Sequence, residues 1–227
     1  LQMYPEYTKA IAQVKEACAE ANFRAGQMTE ETCRRIQKAC QAVAAGQYAE
    51  QFPVDVFHGG GGIGLNMNMN EVLASLAGEG IHPVEDVNRC QSTSDVCHTA
   101  LRIALLELTE MLISELTEME ECLKKKAGEA AGIRTIARTC WQDGMQVEVS
   151  ELFRALEHAL SRRRASLKEQ RKQLYQMNLG WTVIGSGTGS TEGYRREIQK
   201  AMQEVTGKPF HWCENPYDAA QYPDDLG

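Results

Sequence analysis

Seven apolar side chains in one register constrain most what this sequence can fold into. Leu101, Leu105, Leu108, Leu112, Leu116, Met119 and Leu123 step by four, three, four, four, three and four residues. Only a helix gathers such positions on one face, and the spacing is close to the heptad seam along which bundle helices pack. One long helix is therefore expected from Val96, with Leu101, Leu105, Leu108 and Leu112 buried on a bundle seam. Lys124, Lys125 and Lys126 stand at its C-terminal end, where positive charge suits the helix dipole. Gly128 and Gly132 loosen the connection to a second long helix, expected from about Val149 to Asn178. Leu152, Leu156, Ala159, Leu167 and Leu174 carry its apolar side, and Arg162, Arg163 and Arg164 are expected on a solvated face. The fold class implied is mainly α.

The long helix is preceded by Asn88-Arg89-Cys90-Gln91-Ser92-Thr93-Ser94-Asp95. Small hydroxyl and carboxylate side chains at a helix start accept bonds from its first unpaired N–H groups. The same N–H groups and the dipole favour an anion. On the residues alone this segment is a helix cap, or a cap that doubles as an anion site.

Two further helices are expected upstream. The first runs from about Tyr7 to Gly26, with Tyr7, Ile11, Val14, Cys18 and Ala21 repeating at helical steps. Thr29 caps the second, Glu30 and Glu31 suit its dipole, Ile36 and Val43 carry its apolar face, and Gly46 stops it. Gln51 to His58 then leads into four glycines, Gly59 to Gly62, a backbone that must turn tightly or lie close to something. Asn66-Met67-Asn68-Met69-Asn70-Glu71-Val72 opens a short helix through Ala77. Asparagine at every second position suits a helix interior poorly, so these are expected to be buried amides bridging neighbouring loops. Ile81-His82-Pro83 reads as a loop. Near the end, Gly185 to Ser190 is a glycine-rich loop without the Gly-Lys-Ser/Thr ending of a phosphate loop. Thr191 caps a helix with Tyr194, Ile198, Met202 and Val205 inward, and Glu214 to Ala220 begins another.

Composition excludes several classes. The 227 residues carry a net charge of −7, which offers no basic footprint for nucleic acid or an acidic membrane. No apolar run reaches spanning length and no signal segment opens the chain, so no membrane partner is expected. The eight cysteines form no Cys-x-x-Cys pair and no zinc-type spacing, and several fall on apolar helix faces. They are expected to be buried thiols in a reducing, cytoplasmic setting, with no metal and no cofactor.

Four segments together resemble the aspartase/fumarase superfamily. Gln51-Phe52-Pro53-Val54-Asp55-Val56-Phe57-His58-Gly59-Gly60 is similar to the aspartase form of a first loop, and Asn66 to Val72 to the Asn-Met-Asn-x-Asn-Glu-Val that follows it. Gln91-Ser92-Thr93-Ser94-Asp95 resembles the Gln-Ser-Ser/Thr-Asn-Asp substrate loop, and Arg138 to Asp143 the Arg-Thr-x-x-Gln-Asp segment. Leu179 to Gly193 and Glu214-Asn215 continue the likeness, the latter again in its aspartase form. The resemblance implies an N-terminal helical domain over residues 1–90 and part of a central bundle of long antiparallel helices over residues 91–227. It implies a homo-oligomer, a tetramer whose sites each gather segments from three subunits. It also implies a small dicarboxylate or amino-acid substrate and reversible elimination of ammonia from aspartate. A hydratase of the class II fumarase kind and an inactive homologue with a structural or partner role are the alternatives.

By motif position Ser92 and Thr93 would hold a substrate carboxylate and Thr139 would contact substrate. His82 and Asp86 would lie nearer the rim. Departures accompany the likeness: Ile63 replaces a threonine, Ser94 an asparagine and Cys140 a glutamine or histidine, although Ser94 and Cys140 keep the substrate-facing positions. The Gly-Ser-Ser-x-Met-Pro-x-Lys-x-Asn loop, which would supply a serine base and a cationic clamp, does not occur in these residues. No catalytic residue is therefore assigned, and the chain reads as a truncated lyase.

Overall fold

Alanine and cysteine at every turn of the first helix let three other helices come close to it. The computed structural model describes residues 3–57 and 62–226, so His58 to Gly61 lie outside the described residues. It divides into two compact units, Leu1–Leu106 with Gln173–Gly227, and Glu107–Lys172.

In the first unit, α1 (Pro5–Arg24) buries Ala10, Ile11, Val14, Ala17, Cys18 and Ala21 completely. Helix α2 (Glu30–Ala44) packs on it through the stripe Cys33, Ile36, Cys40 and Val43. Its start is capped as expected, with Thr29 Oγ1 accepting from Thr32 N at 3.2 Å. Helix α6 (Glu192–Thr206) lies against α1 through Tyr194, Ile198, Ala201 and Met202. Thr191 caps it, and Gly207 ends it in the left-handed region. The Tyr194 hydroxyl reaches Cys18 Sγ at 3.1 Å, which satisfies a polar group inside the core.

Helix α3 (Ile63–Ala77) ends at Ala77 as expected, begins three residues before Asn66, and takes in Asn66, Asn68 and Asn70. Burial outweighs propensity: Asn66 and Asn70 are buried and their amides bond to another segment, so the residues do bridge as expected. The loop expected at Ile81 to Pro83 leads at once into a single π-type turn, Pro83–Val87. His82 Nδ1 caps that turn by accepting from Val84 N and Glu85 N, and Asp86 Oδ2 accepts from His82 N in return. Helix α7 (Pro216–Gln221) closes the unit. A Cβ on Gly185 would sit 2.3 Å from Pro216 O, so that glycine serves close backbone packing against α7.

Helix α4 (Thr93–Glu129) begins in the first unit and continues into the second. There it is joined by α5 (Val149–Arg171) and an antiparallel hairpin, β1 (Arg134–Thr139) and β2 (Gln142–Glu148). The leucine seam is not buried in this chain. Leu108 is 41% and Leu112 48% exposed, and Leu101 and Leu105 are half-buried. The buried stripe of α4 in this unit runs instead through Ile113, Glu120 and Ala127, seven residues apart. It differs in phase from the leucines, of which Leu105 packs against the core of the first unit while Leu108 and Leu112 are exposed. Arg164 also departs from the expected solvated face: its Nε and Nη2 bond Glu120 Oε1 and Oε2 at 2.6 and 2.9 Å. Arg162 and Arg163 are exposed as expected. No described helix is long and apolar enough to cross a membrane.

Candidate functional site

The start of α4 sits over a buried polar cluster that α1, α3 and the segment around Gly180 build beneath it. Asp95 anchors it. Its side chain is fully buried, with Oδ1 accepting from Ser92 N at 2.9 Å, a carboxylate reaching back to the helix-start amide. Oδ2 accepts from Gly180 N at 2.9 Å and Thr182 N at 3.1 Å. One side chain thus fixes the helix start and ties the Gly180 segment to it. Thr182 holds a backbone with φ of 55°, costly for a β-branched residue, and is secured further by its hydroxyl on Thr188 O at 2.6 Å. Burial pushes the Asp95 carboxyl up to about 6, against the pull of the three backbone donors and of Lys15.

Lys15 is the second anchor and carries no solvent exposure. Its Nζ donates to Asn88 Oδ1 and to Gln91 Oε1, both at 2.8 Å. Burial pushes its pKa down to about 8, and the neighbouring acidic groups oppose that shift. Asn88 Oδ1 also accepts from Asn70 Nδ2 at 3.2 Å and Asn66 Nδ2 at 3.3 Å. Asn66 Nδ2 spends its other hydrogen on Thr93 Oγ1 at 3.1 Å. Gln91 Nε2 donates to Val87 O and Arg89 O, fixing the loop before the helix.

The expected residues Ser92, Thr93 and Ser94 come together here, all half-buried. Since Thr93 Oγ1 accepts from Asn66, its own hydrogen points elsewhere, and among the described residues nothing accepts it. Ser92 Oγ and Ser94 Oγ lie 3.3 Å apart, so one donates to the other and leaves one hydroxyl hydrogen over. The first N–H groups of the helix, Thr93 N and Ser94 N, have no acceptor among the described residues. Four donors without an acceptor among the described residues therefore lie at the positive end of α4, where an anion such as a carboxylate is favoured. Gly62, with φ of 77°, caps α3 beside this cluster, where a Cβ would meet Cys97 Sγ at 2.7 Å.

Thr139 and Cys140 belong to the other unit, at the end of the β1–β2 hairpin, and both are exposed. Cys140 and Trp141 form its two-residue turn, with φ of 48° and 63°. Arg138 Nε pairs with Asp143 Oδ1 at 2.8 Å across the turn. Ile63 opens α3 and is exposed. Lys15 and Asp95's second role were not anticipated. The signal for Lys15 lay in its phase: four residues after Ile11 and three before Cys18, it falls on the apolar stripe of α1.

Comparison with known proteins identifies the family. A family described as Lyase matches residues 2–226. The aspartate ammonia-lyase of Helicobacter pylori is 37% identical over 228 residues, covering 96% of this chain and 49% of that protein. That of Corynebacterium glutamicum is 37% identical over 214 residues, covering 89% of this chain and 41% of that protein. Among solved structures, a fumarate lyase:delta crystallin from Brucella melitensis bound to cobalt superposes with a TM-score of 0.90. It is 34% identical and covers 95% of this chain and 49% of that one. A class II fumarase from Schistosoma mansoni gives a TM-score of 0.90 at 27% identity, covering 96% of this chain and 51% of that one. The chain spans about half the length of the curated relatives it matches. Matched by the family from residue 2 to residue 226 and superposing closely on solved members, the chain belongs to the Lyase family, within the aspartase/fumarase superfamily.

Proposed function

We propose that this chain carries the carboxylate-binding helix start of an aspartate ammonia-lyase, which reversibly eliminates ammonia from aspartate to give fumarate. The observation that carries the reading is the set of four donors at the start of α4 without an acceptor among the described residues, formed by Thr93 N, Ser94 N, the Thr93 hydroxyl and one of the Ser92 and Ser94 hydroxyls. Removing the proton alpha to a carboxylate moves charge onto that carboxylate's oxygens. Preformed donors aimed there bind the charged intermediate more tightly than the ground state, which is what accelerates the step. Ser92, Thr93 and Ser94 hold the carboxylate. Thr139 and Cys140 contact substrate from the hairpin, as parts of a site completed between subunits of a homo-oligomer. The exposure of that hairpin turn supports a partner for it. No base is assigned among these residues.

The test is a titration of the chain with succinate, following amide shifts from Ser92 to Val96. Binding near millimolar is expected, about −4 kcal/mol, because neutral hydrogen bonds are roughly half as strong as charge-assisted ones. Replacing Ser92 with Ala and Thr93 with Val is expected to abolish it and leave the fold intact, since Asp95 still caps. If the amides stay still at tens of millimolar, or move equally in the double variant, the segment is a cap alone. The class II fumarase superposition supports a second reading, a hydratase. L-malate displacing succinate more strongly than L-aspartate does would favour it.

A further inference from the structure

We propose that Lys15 is a positioning residue for this site: from inside the core it sets the direction of the Thr93 hydroxyl and the path of the loop that delivers Ser92. The inference rests on the carboxylate reading of the α4 start and adds to it a residue outside that start. The connection is continuous. Lys15 Nζ donates to Asn88 Oδ1, Asn66 Nδ2 donates to the same oxygen, and Asn66 Nδ2 also donates to Thr93 Oγ1. A second branch runs from Lys15 Nζ to Gln91 Oε1, and Gln91 Nε2 holds Val87 O and Arg89 O.

The sense of every bond follows from the lysine. An ammonium only donates, so Asn88 and Gln91 must both turn their carbonyl oxygens inward. Asn88 then offers an oxygen to Asn66, Asn66 must present its NH2, and Thr93 Oγ1 must accept. The Thr93 hydrogen is left pointing out of the cluster, available to a carboxylate. A neutral amine offers a lone pair as well as hydrogens, so loss of the proton removes the constraint that orders the chain.

The groups that face Lys15 are Cys18 of its own helix, Cys40 of α2, and Asp95 and Cys97 of α4. The three thiols are pushed above their ordinary range by burial, Cys18 to about 12, and Asp95 loses its proton near 6. Between pH 7 and 9 Lys15 is therefore the member of this cluster that changes charge.

The experiment follows the backbone amides of Asn88, Gln91, Ser92 and Thr93 from pH 7 to 9 by NMR, in the unliganded wild-type chain and in Lys15→Met. The same samples are titrated with succinate across that range. In the wild type the four amides are expected to shift together with a midpoint near 8, and succinate affinity to fall at least tenfold through the same window. In Lys15→Met the shift is expected to vanish. Succinate binding at pH 7 is expected to be at least tenfold weaker and flat with pH, with an unchanged helical spectrum. If the wild-type amides show no common titration, or Lys15→Met keeps it, the inference is overturned. A folded Lys15→Met that binds succinate as the wild type does at pH 7 also overturns it. Should Lys15→Met fail to fold, the wild-type amide titration decides. Should the wild type bind no succinate while its amides titrate with Lys15, the positioning stands and the carboxylate reading falls.

Discussion

At the scale of single residues, Asp95 shows how one carboxylate can serve two distant parts of the chain. Its place three residues after Ser92 made the cap legible, because capping is a local pattern. The bonds from Gly180 N and Thr182 N were not legible, since nothing in the local sequence near either segment names a partner 85 residues away. Asp95→Asn puts an NH2 group against at least one backbone N–H, whichever way the amide turns. It is expected to cost about 1–3 kcal/mol in a urea titration at pH 7, the price of a buried donor left unpaired. The pH dependence has a defined sign. The folded carboxyl titrates near 6, above its ordinary 3.8, so the folded state holds its proton more tightly than the unfolded chain does. The contribution is present in full below about pH 4 and is lost as pH rises to 6. The advantage of wild type over Asp95→Asn is therefore expected to be larger at pH 4 than at pH 7. An advantage that grows with pH would contradict the buried, proton-retaining carboxyl.

At the scale of elements, helices were read well and their faces less well. Caps such as Thr29 and Thr191 and stops such as Gly207 mark helix ends by local chemistry, and α2 and α6 run where those residues predict. Which stripe of α4 is buried depends on what packs against it, and that information is not local. Ile113, Glu120 and Ala127 are inside in this chain, whereas the more conspicuous leucines are not. The β1–β2 hairpin went unread because its turn is Cys140-Trp141 rather than the Asn-Gly or Asp-Gly pair that left-handed turn positions favour. That choice is costly. Trp141 holds a left-handed backbone while its side chain is 96% exposed, so little packing compensates. Trp141→Gly is expected to stabilise the hairpin by about 0.5–1 kcal/mol, the relieved strain exceeding the extra entropy of the unfolded glycine. Slower amide exchange across the Thr135–Val147 and Arg138–Asp143 pairs is the measurement, and faster exchange would show that Trp141 makes a contact the single chain does not contain.

At the scale of the whole molecule, the exposed apolar residues of the unit Glu107–Lys172 call for a partner. Leu108, Met111, Leu112 and Met119 on α4 and Leu152 and Leu156 on α5 all face solvent in this chain. Apolar surface on that scale, carried by two long helices, is more than a monomer ordinarily leaves in water. The heptad-like order of the α4 leucines is that of a helix seam, which on the proposed reading of a homo-oligomer would be covered by helices from other copies of the chain. Leu112→Glu places a charge in the middle of that seam and is expected to shift the species seen by sedimentation velocity toward the monomer at equal concentration. Leu108→Ala gives the quantitative form of the same inference. In a dispersed monomer a 41%-exposed leucine contributes less than about 0.5 kcal/mol on truncation, whereas in a closed seam the loss is about 2–5 kcal/mol. Urea titrations of wild type and Leu108→Ala at rising protein concentration are therefore expected to diverge as assembly sets in. Curves that stay within 0.5 kcal/mol of each other while wild type is demonstrably oligomeric would place the interface elsewhere.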